Sequence, residues 1–155
     1  RKQKLNLLEL IEDLQESYRM DYHRHQLQVS IAFQKQIRTV IFGDPERLRQ
    51  LFSNLFDNTL KYTDPGGELQ ITLNNHADSL LIVFQDTPPS VDATKLDKLF
   101  ERLYRIESSR NRETGGAGLG LSICRNIIEA HQGEITALKS PLGGLSIQIL
   151  LPLAE

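Results

Sequence analysis

Apolar residues recur along this chain with two periods, and the changes from one period to the other mark out its elements. Over residues 5–22, Leu7, Leu8, Ile11, Leu14 and Tyr18 fall at helical spacing and leave one apolar face. LQVSIAF at 27–33 alternates as a half-buried strand, and TVIF at 39–42 reads as a second strand stopped by Gly43, so a hairpin-like connection between them is expected. Asp44-Pro45 then starts a helix, a capping carboxylate followed by proline in the first turn, and the pattern carries it to about Thr63, where DPGG (64–67) ends it.

Residues 69–73 and 79–85 alternate as strands, and 91–105 returns to helical spacing. A polar stretch, ESSRNRET (107–114), runs into the glycines GGAGLG (115–120). Leu121, Ile123, Cys124, Ile127 and Ile128 then give a helix over 119–131, with Gly133 where a C-terminal cap belongs. Strands at 134–139 and 145–151 close the chain. A few helices with a largely antiparallel set of strands predict a two-layer α/β sandwich, the helices on one face of the sheet.

Composition narrows the function classes more than the fold. The 155 residues fit one domain, and 39% hydrophobic with 25% charged residues is ordinary for a folded globular chain. Eighteen Lys and Arg against 20 Asp and Glu give a net charge of −2, which disfavours bulk binding to nucleic acid or acidic lipid. The single cysteine, Cys124, excludes an intrachain disulfide and reads as a small buried apolar residue. No apolar run is long enough to span a bilayer, and the charged first residues are unlike a signal peptide. The sequence does not begin with Met, so a fragment of a longer protein is expected.

Four glycines in six residues, just ahead of a helix, leave backbone N–H groups open where the helix dipole favours an anion; a plain flexible loop is the alternative. The spacing Gly116, Gly118, Gly120 fits neither the dinucleotide fingerprint nor the Walker A loop. In the helix from Asp44, the positions Leu48, Leu51, Phe52, Leu55, Phe56, Thr59 and Leu60 make a broad core face. Asn54, Asn58 and Lys61 share another side. Asparagine is a mediocre helix former, so two of them one turn apart suit either a solvated surface or a hard cation such as Mg²⁺ shared with phosphates. Asp86, ending the apolar strand LLIVFQ, can accept from an exocyclic amine and so select adenine, or can serve as an ordinary turn or capping aspartate. The stretch 107–114, with Arg102 and Arg105 before it, reads as a mobile lid or as a disordered loop.

Taken in order from about Gly43 to Pro152, these segments resemble the ATP-binding catalytic domain of bacterial sensor histidine kinases, in the superfamily that includes Hsp90, type II topoisomerases and MutL. NLFDNTLKYT (54–63) is similar to the family's N box, DTPPSV (86–91) to its first glycine box and LFERLYR (99–105) to its F box. GGAGLGLSI (115–123) is similar to the second glycine box, and SPLGGLSIQILLP (140–152) to the end of the domain. Among these kinases the likeness is greatest to envelope-stress sensors.

The resemblance implies the Bergerat fold, a mixed sheet under helices, and Mg-ATP as ligand. It implies that Asn58 holds Mg²⁺, that Asn54 supports metal and phosphates, and that Lys61 and Arg105 meet phosphates. Tyr62 would pack on the nucleoside, Asp86 would bind the adenine amine, and Gly116, Gly118, Leu119 and Gly120 would hold the triphosphate. Related ATPases carry Glu where Asn54 stands, and an amide cannot take a proton from water, so phosphoryl transfer to a protein group is favoured over hydrolysis. Pro88 and Ser90 replace usual glycines, which implies weakened affinity for the base; Ala117 replaces a threonine, which removes a hydroxyl near the phosphates, and Leu103 a phenylalanine. None of His23, His25, His76 or His131 has the context of the family's phosphorylated histidine. The expectation is therefore a donor half, incomplete without its own dimerisation domain, in a homodimeric protein of the bacterial inner membrane that serves a response regulator. A regulatory nucleotide-binding module and an anti-sigma-type serine kinase are the alternatives.

Overall fold

The structure, a computed structural model, describes residues 1–89 and 117–155, the side chains of 117–120 excepted. In chain order the elements are β1 (Gln3–Asn6), α1 (Leu7–Arg24), β2 (Gln28–Phe33), β3 (Val40–Gly43), α2 (Pro45–Tyr62), β4 (Glu68–His76), β5 (Ser79–Asp86), α3 (Ala117–Ala130), β6 (Glu134–Lys139) and β7 (Leu145–Pro152). The expected helix at 91–105, the stretch 107–114 and Gly116 lie outside the described residues.

Local chemistry sets the helix ends. Asp44, in extended conformation, accepts from the N–H groups of Glu46 and Arg47 at 3.1 and 3.4 Å, with Pro45 behind it in the first turn. Thr63 is the C-cap, ahead of Asp64, which the following Pro65 disfavours in helical conformation. Asn6 caps α1 by accepting from Glu9 N–H and also takes the Thr39 hydroxyl at 2.8 Å. Residues 3–6 are therefore a strand, where periodicity alone carried the helix back to Leu5. At the far end of α3 the N–H groups of His131 and Gly133 both reach the Ile128 carbonyl. The left-handed residue there is Gln132 (φ 60°), one place before the glycine expected to cap the helix.

Five strands form one sheet in the order β2-β4-β5-β7-β6, and β1 pairs with β3 in a separate ribbon. Only β2 with β4 runs parallel in the larger sheet. The sheet is thus mixed and largely antiparallel, with three helices among the described residues. The hairpin expected between 27–33 and 39–42 does not form. β2 takes β4 as its partner and β3 takes β1. Alternation fixes which face of a strand is buried; it does not choose the neighbour.

The core lies between sheet and helices. α2 contributes Leu48, Leu51, Phe52, Leu55 and Phe56, all buried, against Leu69, Ile71, Ile82, Phe84, Ile147 and Ile149 from the sheet. Phe56 stacks on Tyr18 of α1 at 5.1 Å and meets Phe84 edge-on at 5.5 Å, while Phe52 stacks on Phe84 at 5.9 Å. Burying each such ring is worth about 1.5–3 kcal/mol, so α2 is held as the central beam on which the candidate residues stand.

Candidate nucleotide-binding site

β5 alternates, and Ile82 and Phe84 turn into the helix layer, so Asp86 at the strand end faces the same way. Its carboxylate is held on several sides. The Leu145 N–H donates to Oδ1 at 2.7 Å, and the Thr59 hydroxyl donates to Oδ2 at 3.4 Å. The Thr63 side chain bonds the same carboxylate, and the Gly144 N–H donates to the Asp86 carbonyl at 3.0 Å. A Cβ on residue 144 would lie 2.3 Å from Oδ1, so the turn between β6 and β7 closes this tightly only with glycine there. Burial outweighs these donors and pushes the carboxyl up to about 6.

Thr59, Thr63 and the Gly144-Leu145 turn are the residues that sequence reading missed. A signal for Thr59 existed, because it is the hydroxyl set within the apolar face of α2. Its side chain also faces Tyr22, whose own hydroxyl donates to the Phe56 carbonyl at 2.7 Å.

The second group of candidates lies on α2. Asn54 turns to the Cys124 side chain of α3, and that thiol also donates to the Leu51 carbonyl at 3.6 Å. Burial pushes the Cys124 thiol up to about 12, which keeps it protonated and unreactive. Asn58, one turn beyond Asn54, has its amide nitrogen buried with no hydrogen-bond partner among the described residues. Leaving such a donor unmade costs about 1–3 kcal/mol, a cost that a bound acceptor would relieve. Lys61 is exposed in the last turn of α2, and Tyr62, its last residue, is half-buried.

α3 is described from Ala117, so Gly118, Leu119 and Gly120 lie in its first described turn, in the helix that the sequence starts at Leu119. Backbone N–H groups at a helix N-terminus favour an anion. Gly116 and Arg105 lie outside the described residues. The fold brings Asn54 against Cys124, one turn along α3 from Gly120, and brings Asp86 against Thr59 and Thr63 at the other end of α2. One helix therefore carries both groups. Pro88, in place of a usual glycine, accepts from the Asp64 N–H at 3.1 Å and packs against Gly143.

Comparison with known proteins follows the same outline. The chain is 46% identical over 149 residues to the signal transduction histidine-protein kinase BaeS of Escherichia coli (strain K12), covering 96% of this chain and 32% of that protein. It is 38% identical to the adaptive-response sensory kinase SasA of Nostoc sp., over 72% of this chain and 28% of that one. The chain thus spans about a third or less of these relatives. Among solved structures, the catalytic domain of histidine kinase ThkA superposes with a TM-score of 0.85 at 24% identity, over 98% of this chain and 95% of that one. The mycobacterial sensor histidine kinase MprB gives 0.79 at 23%, covering 98% and 97%. A complex of ThkA with the response regulator protein TrrA gives 0.82 at 21%, covering 99% and 42%. Residues 43–155 match the histidine kinase-, DNA gyrase B-, and HSP90-like ATPase family, and the chain belongs to that family.

Proposed function

We propose that this domain binds Mg-ATP and donates its γ-phosphoryl group to a histidine on a dimerisation domain of the same kinase. The observation that carries the reading is the placement, against one helix, of the Asp86 carboxylate held ready near an Asn58 amide that has no partner among the described residues. Asp86 is positioned as the acceptor for the adenine amine. Asn58, a residue away from the Thr59 that reaches Asp86, offers an amide whose buried nitrogen has no partner among the described residues.

The donor set fits a hard cation. Mg²⁺ takes oxygen ligands, keeps several waters and shares its shell with phosphates, so the single Asn58 amide oxygen suffices. When bound, the ion neutralises charge on the phosphates. Asn58 Nδ2 is left to donate to a phosphate oxygen, Lys61 adds positive charge, and the amides of the first turn of α3, with Gly118, Leu119 and Gly120, receive the anion. Tyr62 packs on the nucleoside. In the transfer, the bond from the γ-phosphorus to the β,γ-bridging oxygen breaks, a bond to the acceptor imidazole nitrogen forms, and ADP leaves. Asn54, an amide against a protonated thiol, cannot deprotonate a water, which favours transfer over hydrolysis. Positioning and charge neutralisation carry the chemistry.

The full-length protein is proposed to be a homodimeric sensor kinase of the bacterial inner membrane that passes phosphate to a response regulator. The names of its relatives support the kinase part of that reading, and the ThkA–TrrA complex supports the response-regulator part. Among the described residues no helix is long and apolar enough to cross a membrane, so an anchor would lie in another segment. Calorimetric titration with ATP and Mg²⁺, followed by addition of a histidine-bearing helical domain and labelled ATP, tests the proposal. Saturable heat, about tenfold weaker with Asn58→Ala, and an acid-labile, base-stable phosphoproduct are expected. No heat with the wild-type chain, or an acid-stable product, defeats it.

A further inference from the structure

His131 is 5% exposed although it carries two polar nitrogens, and both are in use. Nδ1 lies 2.8 Å from the Ile127 carbonyl oxygen, and the backbone N–H of Asp44 donates to Nε2 at 3.0 Å. A carbonyl only accepts and an amide N–H only donates, so the two partners fix the neutral tautomer with its proton on Nδ1.

Three elements meet on this ring. It stands just past the C-terminal end of α3, and Asp44 is the N-cap of α2. Gly43, paired with Gln3 across the β1–β3 ribbon, leaves no room for a side chain: a Cβ there would lie 2.9 Å from the imidazole Cδ2 and 2.7 Å from the Leu48 Cδ1. The Lys2 ammonium, on the chain leading into β1, donates to the Ala130 carbonyl at 2.8 Å. Leu121, Ile127 and Ile128 hold α3 by apolar burial, and the Cys124 thiol adds a long bond to the Leu51 carbonyl at 3.6 Å. Burial is non-directional and tolerates a small slide or rotation of a helix; a hydrogen bond to a fixed backbone N–H does not.

We infer that His131 is a positioning residue that sets the register of α3 against α2, and through it the alignment of the first turn of α3 with Asn54 and Asn58. A helix moves as a unit because its backbone bonds run end to end, so a tie at Ala130–His131 is felt at Gly118–Gly120. The inference rests on the reading that this first turn holds phosphates. Asp86, on β5, does not depend on the tie, so the ring governs the phosphate end of the ligand and not the base end.

The test is the dissociation constant of Mg-ATP and, separately, of adenosine, for the wild-type chain, His131→Asn and His131→Gln. Asparagine keeps a donor for Ile127 but falls short of Asp44, whereas glutamine reaches far enough to offer Asp44 an acceptor. His131→Asn is expected to weaken Mg-ATP about tenfold, the worth of one directional bond, with adenosine unchanged and His131→Gln near wild type. Parallel loss of both ligands, or no change in their ratio, overturns the inference. If His131→Asn does not fold, Gly43→Ala, whose methyl group presses on the ring, is read by the same ratio. Should the wild-type chain bind neither ligand, the phosphate reading fails instead. The tie is then judged by ¹⁵N NMR of the wild-type ring, where a protonated Nε2 or a rapidly exchanging Asp44 amide overturns it.

Discussion

Asp86 and Asn58 both stand where α2 meets its surroundings half-buried, and the fold treats them in opposite ways. Asp86 is surrounded by donors: a backbone N–H from the β6–β7 turn and hydroxyls from Thr59 and Thr63. Asn58 keeps a buried amide nitrogen with none among the described residues. The difference separates the two ends of the proposed ligand. The base is met by a group already fixed in place, which reduces the ordering cost of binding. The phosphate end meets an amide with no partner among the described residues, so part of the proposed binding energy comes from satisfying it.

The comparison is most exposed at Asp86. Asp86→Ala should weaken adenosine by about 10- to 150-fold, the range for a hydrogen bond to a charged acceptor, measured by calorimetry. Unchanged affinity would make Asp86 a structural carboxylate and nothing more. Gly144→Ala should lower stability by about 1–3 kcal/mol, because its methyl group must displace Oδ1 or the Thr87 carbonyl; chemical denaturation reads this, and a neutral result would mean that the turn is not tight.

The carboxyl of Asp86 also predicts a pH dependence with a definite sign. Its folded pKa, about 6, lies above the ordinary aspartate value, so between about pH 4 and 6 the native state binds more protons than the unfolded chain. Its contribution to stability is present below that window and is lost as pH rises through it. Adenosine binding, which needs the ionised acceptor, should run the other way and fall about tenfold per unit below pH 6. Adenosine has no phosphate to titrate, and Asp86→Asn should flatten the profile; a slope that survives the substitution would assign the titration to another group. The smallest effect belongs to Asn58. Asn58→Ala should change the thermal stability of the ligand-free domain by less than about 0.5 kcal/mol or raise it, because it removes an unsatisfied donor, and a large loss would show that the amide is already partnered.

Most of the candidate site is legible in the sequence, through features that are local. Asn54, Asn58 and Lys61 share a helix, and Asp44-Pro45 and DPGG bound that helix within a residue or two of where it starts and stops. What was not legible depended on partners far along the chain. Periodicity puts Thr59 on the core face, yet its hydroxyl matters because β5 delivers Asp86 beside it from 27 residues away. His131 read as an ordinary polar residue until Asp44, 87 residues earlier, was placed against its ring. Proximity in sequence suggests a β2–β3 hairpin, whereas the fold pairs β2 in parallel with a strand that begins 40 residues later.

By itself the sequence determined the elements, their buried faces and the ordered motifs that place the chain in its family. Capping, periodicity and motif spacing act over a few residues, and the chain states them directly. Tertiary structure alone decided which strands pair, that the Gly144 turn and two threonines hold Asp86, that Asn58 has a buried nitrogen with no partner among the described residues, and that α3 is tied to α2 through an imidazole. Each of these depends on where a donor or acceptor many residues away comes to rest, and that position is fixed only when the apolar faces of all the elements are buried together.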